Sequence, residues 1–487
     1  MAKLIMVQGT MSNVGKSLLV AGLCRVFHQD GYKVAPFKSQ NMALNSFITK
    51  DGLEMGRSTV VQAEACGAEP SVLMNPILLK PTTDVGSQVI LNGEVYGNMR
   101  AREYYSHKKE FVPEVLKAFH KLEEQYDIIV LEGAGSAAEI NLKDEDIVNM
   151  GMAKMVGAPV VLVGDIDRGG VFAQLAGTIM LLDEEEKKHI KATVINKFRG
   201  DVSILEPGLV QLEELTNVPV AGVMPYLKVD IEEEDSLSEK FKNKRADLID
   251  VAVIRLPRIS NFTDFAALEA TEGISVRYIE TVRELGDPDM IVIPGTKSTI
   301  SDLHWLRESG LEAKIKQHAA RGKIIVGICG GYQILGHRIS DTCGAEGYAT
   351  ATGMELLPID TDFETEKHRT RVTGTSADGY ALEGYEIHMG KSTLIGDAQP
   401  YIKLDTGADD GCHTENIYGT YLHGFFDTSE CRNFFLDLIC AKKGLDRKEF
   451  TDFDYAAYKE EQFDILANAV RENLDMDLIY RILNEGV

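Results

Sequence analysis

Long apolar runs, paired cysteine spacings and an excess of basic residues are all missing from this 487-residue sequence, and each absence removes a class of function. Without a run of 18 or more apolar residues, a membrane-spanning helix is not expected. Seven cysteines are scattered with no paired spacing, and an odd count does not suit a disulfide framework. A reducing, cytoplasmic setting is therefore expected. The opening MAKLIMVQGT lacks a basic segment, an apolar core and a small-residue cleavage site, so no secretory signal is expected. Lysine and arginine number 51 against 75 acidic residues, a formal charge of −24. That balance speaks against non-specific nucleic-acid binding, and an anionic substrate must find a locally positive pocket within an adverse field. Internal repeats and low-complexity segments are absent too. The partners implied are small molecules, with no nucleic acid and no membrane; oligomeric state leaves no trace in the sequence.

What is present is an ordinary globular mixture, 44% hydrophobic and 26% charged, over a length that calls for two domains. Short apolar runs at residues 4–8, 34–37, 128–132, 160–165, 193–196 and 220–224 alternate with amphipathic stretches. Most are continuous Val/Ile/Leu segments ending in Gly, Asp, Glu or Asn, as in parallel strands buried on both faces. A doubly wound α/β sheet is expected, with ligands bound beyond the carboxyl ends of its strands. After Val229 the chain turns into the charge-rich IEEEDSLSEKFKNKRADLID, compatible with a linker over 229–249 or with an exposed helix. Alternation restarts at 251–256, 274–278, 290–294 and 324–328. The expected division is thus a first α/β domain over 1–228 and a second over 250–435. A helical segment over 436–487, carrying Leu438, Leu466, Val470 and Leu474, is expected to pack on the second domain.

Gly9 opens the segment GTMSNVGKS, directly after the first strand and before the apolar LLVAGLCRVF. Glycines let backbone N–H groups turn inward around phosphate oxygens, and the following helix N-terminus adds a positive dipole end. Lys16 can reach the β- and γ-phosphates of ATP, and Ser17 can ligate Mg²⁺. Gly9, Thr10, Asn13, Gly15, Lys16 and Ser17 are the candidate nucleotide contacts. The usual loop has four residues between its first glycine and the GK pair, and here there are five. That longer form resembles the dethiobiotin-synthetase-like branch of P-loop proteins. Glu132, closing DIIVLEG, is either a second Mg²⁺ contact or an ordinary strand-end carboxylate. Lys38, in PFKSQNMALNS, either neutralises a transferring phosphoryl group or is a surface lysine. The segment GDIDRGGVF, with Asp165, Asp167 and Arg168, is assigned to the same face.

In the second half, the strand KIIVGI runs straight into CGGYQILG. A cysteine at a tight strand-to-helix turn exposes its sulfur, and the helix N-terminus favours the thiolate, so Cys329 is the candidate nucleophile. Backbone N–H groups at Gly330 and at Gly295 of PGTKS suit an oxyanion hole. His423 of YGTYLHGFF is the candidate base, with His388 of YEIHMG as runner-up.

Together QGTMSNVGKS, PFKSQNMALNS, NPILLKP, LEGAGSAAEINL, DIDRGGVFA, RLPRISNFTDF, PGTKST, GICGGYQILG, GYEIHMG and YGTYLHG resemble the cobyric acid synthase family, glutamine-hydrolysing amidotransferases of cobalamin biosynthesis. The resemblance implies a dethiobiotin-synthetase-like P-loop domain followed by a class I glutaminase-like domain. It also implies that Asn196, at a strand end, reads the adenine, although a turn-forming Asn is equally compatible with that position. The implied chemistry is glutamine hydrolysis through a thioester on Cys329, MgATP-dependent phosphorylation of carboxylates on adenosylcobyrinic a,c-diamide, and displacement of phosphate by ammonia, four times over. The anionic corrinoid would favour Lys38, Lys80, Arg168 or Arg199. Many such glutaminases carry His-x-Glu, but Phe425 stands two residues after His423. The orienting carboxylate is thus absent from its usual place. Asp427 is a possible substitute, and an imidazole lacking its orienter is expected to be poorly held. Related readings are a cobyrinic acid a,c-diamide synthase, a cell-wall precursor amidase, and a non-enzymatic partitioning-type ATPase switch. Cys329 and His423 together speak against the switch.

Overall fold

A computed structural model describes residues 2–83, 86–232, 248–347, 349–450 and 453–487. It splits into two compact units, one made of Met1–Ala43, Glu54–Ser236 and Ala457–Val487, the other of Leu44–Leu53 and Leu237–Ala456. Among the described residues no helix is long and apolar enough to cross a membrane.

The first unit is built on a six-stranded sheet in the spatial order Val220–Pro225, Ile190–Phe198, Val160–Asp165, Lys3–Gly9, Ile128–Glu132, Val34–Phe37, every pair parallel. IIVLE and VVLVGD are buried at every position, which is why they read as continuous apolar runs up to their closing Glu132 and Asp165 rather than alternating ones. Lys3–Gly9 lies between Val160–Asp165 and Ile128–Glu132, where the strand order reverses, so the loop after Gly9 opens at the topological switch point. A smaller sheet of Gln40–Met42, Ile77–Thr83, Gly86–Leu91 and Glu94–Arg100 also belongs to this unit.

Of the segment expected to pack on the second domain, the part up to Ala456 does belong to the second unit, with Leu438 against its core, and Ala457–Val487 does not. Leu474, Ile479, Ile482 and Leu483 share a core with Ile5, Val7, Leu23 and Val130 of the first unit, not with the second. Helix Tyr455–Asn473 lies close against helix Lys16–Gln29: a β-carbon at Gly22 would stand 2.7 Å from Val470. Arg25 is ion-paired to Asp464 at 2.7 Å and Arg471 to Asp30 at 2.6 Å, so charge pairing fixes the packing that the apolar face begins. Of the expected linker over 229–249, residues 233–247 lie outside the described residues.

The second unit carries its own sheet in the order Ile274–Ile279, Ile249–Ile254, Met290–Ile293, Ile324–Ile328, Ile417–Thr420, Cys412–His413, parallel except for the last pair. A long antiparallel hairpin, Ile359–Ser376 with Ala381–Leu394, forms a further layer. Residues 44–53, expected within the first domain, belong here instead. Phe47 and Ile48 cluster with Tyr385 and Ile387. Ser46 N donates to Asn261 Oδ1 at 3.2 Å, Phe262 N donates to Asn45 Oδ1 at 3.3 Å, and Tyr385 Oη donates to Ser46 O at 3.0 Å.

Candidate functional site

Each unit holds one chemically loaded cluster at the carboxyl ends of its parallel strands. In the first, the chain leaves Lys3–Gly9 and curls through Asn13 (φ 60°) and Gly15 (φ 89°) before helix Lys16–Gln29. Gly15 is required twice over: its φ lies in the left-handed region, and a β-carbon there would stand 2.3 Å from Asn196 Nδ2. Asn196 Nδ2 donates to Val14 O at 2.7 Å, and Lys197 donates to Asn13 O, so the end of strand Ile190–Phe198 braces the loop. Thr10 Oγ1 donates to Gln174 Oε1 at 3.2 Å. Lys16 Nζ donates to Met11 O and to Gly135 O, each at 3.0 Å.

Glu132 is where these groups converge. One oxygen accepts from Ser17 Oγ at 2.7 Å and from Lys38 Nζ at 3.1 Å, the other from Gln62 Nε2 at 2.5 Å. Burial alone would raise its pKa. The Lys38 charge, the hydrogen bonds from Gln62 and Ser17, and the Lys16 charge together bring it below the usual carboxylate range, so a buried anion persists at neutral pH. Lys38 is 6% exposed and is no surface lysine. Asp165 is buried and ion-paired to Lys197 at 3.1 Å; Asp167 pairs with Arg199 at 2.7 Å. Lys80 is ion-paired to Glu54 at 2.9 Å, with both side chains buried.

In the second unit Cys329 joins strand Ile324–Ile328 to helix Gly330–Leu335 at φ 53°, ψ −109°, a conformation a side-chain-bearing residue holds only when its surroundings impose it. The imposition is steric. A β-carbon on Gly331 would stand 1.9 Å from Ile293 O, and one on Gly330 would stand 2.7 Å from Thr296 Cγ2. Only a CGG run lets the helix start this close to the neighbouring strand. Cys329 Sγ lies 3.6 Å from Ile387 O, and its second partner is the His423 side chain.

His423 is 1% exposed. Its Nδ1 meets Asp264 Oδ2 at 2.8 Å, while Asp264 Oδ1 accepts from Gly424 N at 2.9 Å. The two residues are 159 positions apart in sequence. This corrects the expectation about the orienting carboxylate: Asp427 is not the group on Nδ1, Asp264 of SNFTDF is, and the imidazole is firmly held. Tyr385 stacks on its face at 5.3 Å between centroids. Burial works against a charged imidazole here, but the Asp264 carboxylate and the Cys329 sulfur outweigh it and push His423 up to about 10. His388 sits apart, with Nδ1 on Gly390 O at 2.7 Å and its ring 3.7 Å from that of Tyr421. Burial pulls its pKa down to about 4.

Gly295 faces His423: a β-carbon there would stand 3.0 Å from Cε1. Its carbonyl accepts from Ser260 N at 2.9 Å. The Thr296 amide nitrogen lies 3.0 Å from where a Gly330 β-carbon would be. Thr296 Oγ1 donates to Arg258 O at 3.1 Å and to Asp302, which fixes the turn. Sequence reasoning missed Asp264, Thr296 and Gln62. For Asp264 a signal existed, since an acid set between Phe262 and Phe265 is placed to be buried and then needs a partner.

The comparisons with known proteins agree with this division of labour. A family model described as a CobQ/CobB/MinD/ParA nucleotide binding domain matches residues 5–238, and a CobB/CobQ-like glutamine amidotransferase domain matches residues 250–431. A cobyric acid synthase of Lachnoclostridium phytofermentans is 58% identical over 100% of both chains. Its counterpart in Ruminiclostridium cellulolyticum is 56% identical, covering 100% of this chain and 98% of the relative. The Clostridium acetobutylicum protein is 54% identical over 98% of each. Identity at this level along the whole length shows that the chain belongs to the cobyric acid synthase family, ATP-dependent ligases of the glutamine amidotransferase class.

Proposed function

We propose that the chain amidates the peripheral carboxylates b, d, e and g of adenosylcobyrinic a,c-diamide, giving adenosylcobyric acid in a reducing, cytoplasmic compartment. The observation that carries the glutamine half is the line Asp264–His423–Cys329, a nucleophile whose base is itself oriented. Cys329 Sγ attacks the glutamine amide carbon, and the tetrahedral oxyanion is met by N–H groups of Gly330 and of the Gly295–Thr296 turn. His423 donates its proton to the departing nitrogen, releasing ammonia and leaving a glutamyl thioester. Water activated by the same imidazole then hydrolyses the thioester to glutamate.

In the ligase half, Gly9, Thr10, Asn13, Gly15, Lys16 and Ser17 cradle the ATP phosphates, with Asn196 bracing the loop and marking the adenine side. Ser17 Oγ and the anionic Glu132 carboxylate are hard oxygen donors 2.7 Å apart, which suits them to hold Mg²⁺; the ion would neutralise phosphate charge. Lys38, drawn onto Glu132, is placed to stabilise the phosphoryl group in transfer. A corrinoid carboxylate takes the γ-phosphoryl group, giving an acyl phosphate and ADP, and ammonia displaces phosphate to leave the amide. A carboxylate needs this activation because hydroxide is a poor leaving group. The name shared by the full-length relatives supports the product.

The test is mass spectrometry of cobyrinic a,c-diamide after incubation with protein, MgATP and glutamine. Each carboxylate-to-amide conversion lowers the mass by about one unit, from OH replaced by NH₂. Four successive losses are expected. A corrinoid left unchanged while glutamine and ATP are consumed would reject this substrate; two conversions on cobyrinic acid itself would identify an a,c-diamide synthase instead.

A further inference from the structure

Beside the nucleophile, on the long hairpin, lies a group of metal-ligating side chains outside the Asp264–His423–Cys329 line. His368 on strand Ile359–Ser376 pairs directly across the ladder with His388 on strand Ala381–Leu394. Glu386, two residues before His388, projects from the same face of its strand. One ligand atom from each of the three lies within 4.8 Å of the others. We propose that His368, Glu386 and His388 bind a divalent transition-metal ion of the zinc class.

Three features distinguish this cluster from a chance His–Glu pair. Gly390 O can only accept, so the His388 Nδ1 bonded to it at 2.7 Å carries the proton, and the lone pair sits on Nε2. A carbonyl fixing the far nitrogen is the usual way an imidazole ligand is oriented. Glu386 is 6% exposed yet keeps a single imidazole partner, His368 Nε2 at 2.9 Å. Among the described residues its other oxygen takes no hydrogen bond. That oxygen is therefore open to a cation. Finally, His368 is half exposed and not enclosed by packing, and zinc bonds of about 2.0–2.2 Å would draw the set to ligand separations of roughly 3.3 Å.

Two imidazoles and one carboxylate favour Zn²⁺, Co²⁺ or Ni²⁺ over Mg²⁺ or Ca²⁺, and three protein ligands leave a fourth position for water. A metal ion takes imidazole only in its neutral form, so affinity is expected to rise with pH. The site is tied to the glutaminase centre by one residue: Ile387, between Glu386 and His388, offers its carbonyl to Cys329 Sγ.

The test is titration of the metal-free full chain with Zn²⁺ and, as an optical probe, Co²⁺, with Cys329→Ser and Cys343→Ser in parallel to remove the nearby sulfur and the partly exposed one. One equivalent of Co²⁺ is expected to give visible d–d bands without a thiolate charge-transfer band, in all three proteins. His368→Ala, Glu386→Gln and His388→Ala are each expected to weaken Zn²⁺ binding by about 100-fold or more, the upper end of what losing even an outer partner of a ligand costs. His368 is half exposed, so its variant folds and keeps the test open should the buried variants unfold. Binding abolished in Cys329→Ser or Cys343→Ser, binding unchanged in His368→Ala, or displacement of Zn²⁺ by equimolar Mg²⁺ would each overturn the proposal.

Discussion

Both halves of this chain place their chemistry where a buried parallel strand turns into a helix, yet the two turns are built for opposite purposes. The loop from Gly9 to Ser17 is long, takes positive φ at two positions, and is braced from outside by Asn196 and Lys197. A long glycine-bearing loop ahead of a helix N-terminus is the build that suits an anion of several oxygens. The Cys329 turn is a single residue at φ 53°, with Gly330 and Gly331 pressed against the neighbouring strand. It encloses nothing and aims one atom. Charge follows the same division. In the first unit one carboxylate, Glu132, gathers Ser17, Gln62 and Lys38; in the second, one carboxylate, Asp264, holds one imidazole.

The sharpest way to separate the two turns is to disarm each in turn. Cys329→Ala should lower glutamine-dependent synthesis by about 10⁶-fold, the scale seen when a catalytic nucleophile is deleted, while ammonium-supported synthesis persists. Lys16→Ala should remove synthesis with either nitrogen source. If ammonium fails to rescue Cys329→Ala in a steady-state assay, the two chemistries are not separate.

Next in size is Asp264→Asn, expected to cost glutaminase kcat on the order of 10⁴-fold, as when the orienting acid of a triad is made neutral. Asp427→Asn should change it by a few-fold at most. The same variant tests linkage. The folded-state pKa of His423, about 10, is raised above its ordinary 6.5, so the stability it contributes is fully present below pH 6.5 and lost as pH rises through 10. The wild type should therefore lose thermal stability across that window more steeply than Asp264→Asn. Parallel curves would mean that Asp264 does not set the charge on His423.

Gly15→Ala should be milder in chemistry, with about 1–3 kcal/mol of backbone strain beside Asn196 and a raised KM for ATP, glutaminase being unaffected. An unchanged KM would show that the loop tolerates a β-carbon. The smallest effect on either turn is expected from Ile479→Ala, which is fully buried and far along the sequence from both. It should cost about 2–5 kcal/mol of stability in denaturant titration with both activities intact at low temperature.

Strands were the most legible feature. VAPF and IIVGI are apolar throughout, and IIVLE up to its closing Glu132, because both faces are covered; the runs at 34–37, 128–132 and 324–328 match the structure residue for residue. The hairpin was not legible: IDTDFETEKHRTRVTGTS carries charges along most of its length, so neither an apolar run nor clean alternation marks it. Cys329 was visible because its turn is local in sequence. Asp264 was hidden because its meeting with His423 depends on the fold rather than on spacing. The helices after residue 455 were recognisable as amphipathic, but an apolar face says that something covers it, never what.

The attachment of Ala457–Val487 to the first unit bears on how the protein is made. Domains generally fold as they leave the ribosome, N-terminal first. Here the sheet that begins at Lys3 lacks one of its covering layers until residues 457–487 have been translated, after the whole of the second unit. Ile5, Val7 and Leu23 stay partly uncovered through that interval, so the earliest core to begin forming is among the last to close. A nascent chain halted near residue 450 would carry a complete glutaminase sheet beside an unfinished nucleotide-binding sheet, exposed to proteases and to association with its own copies.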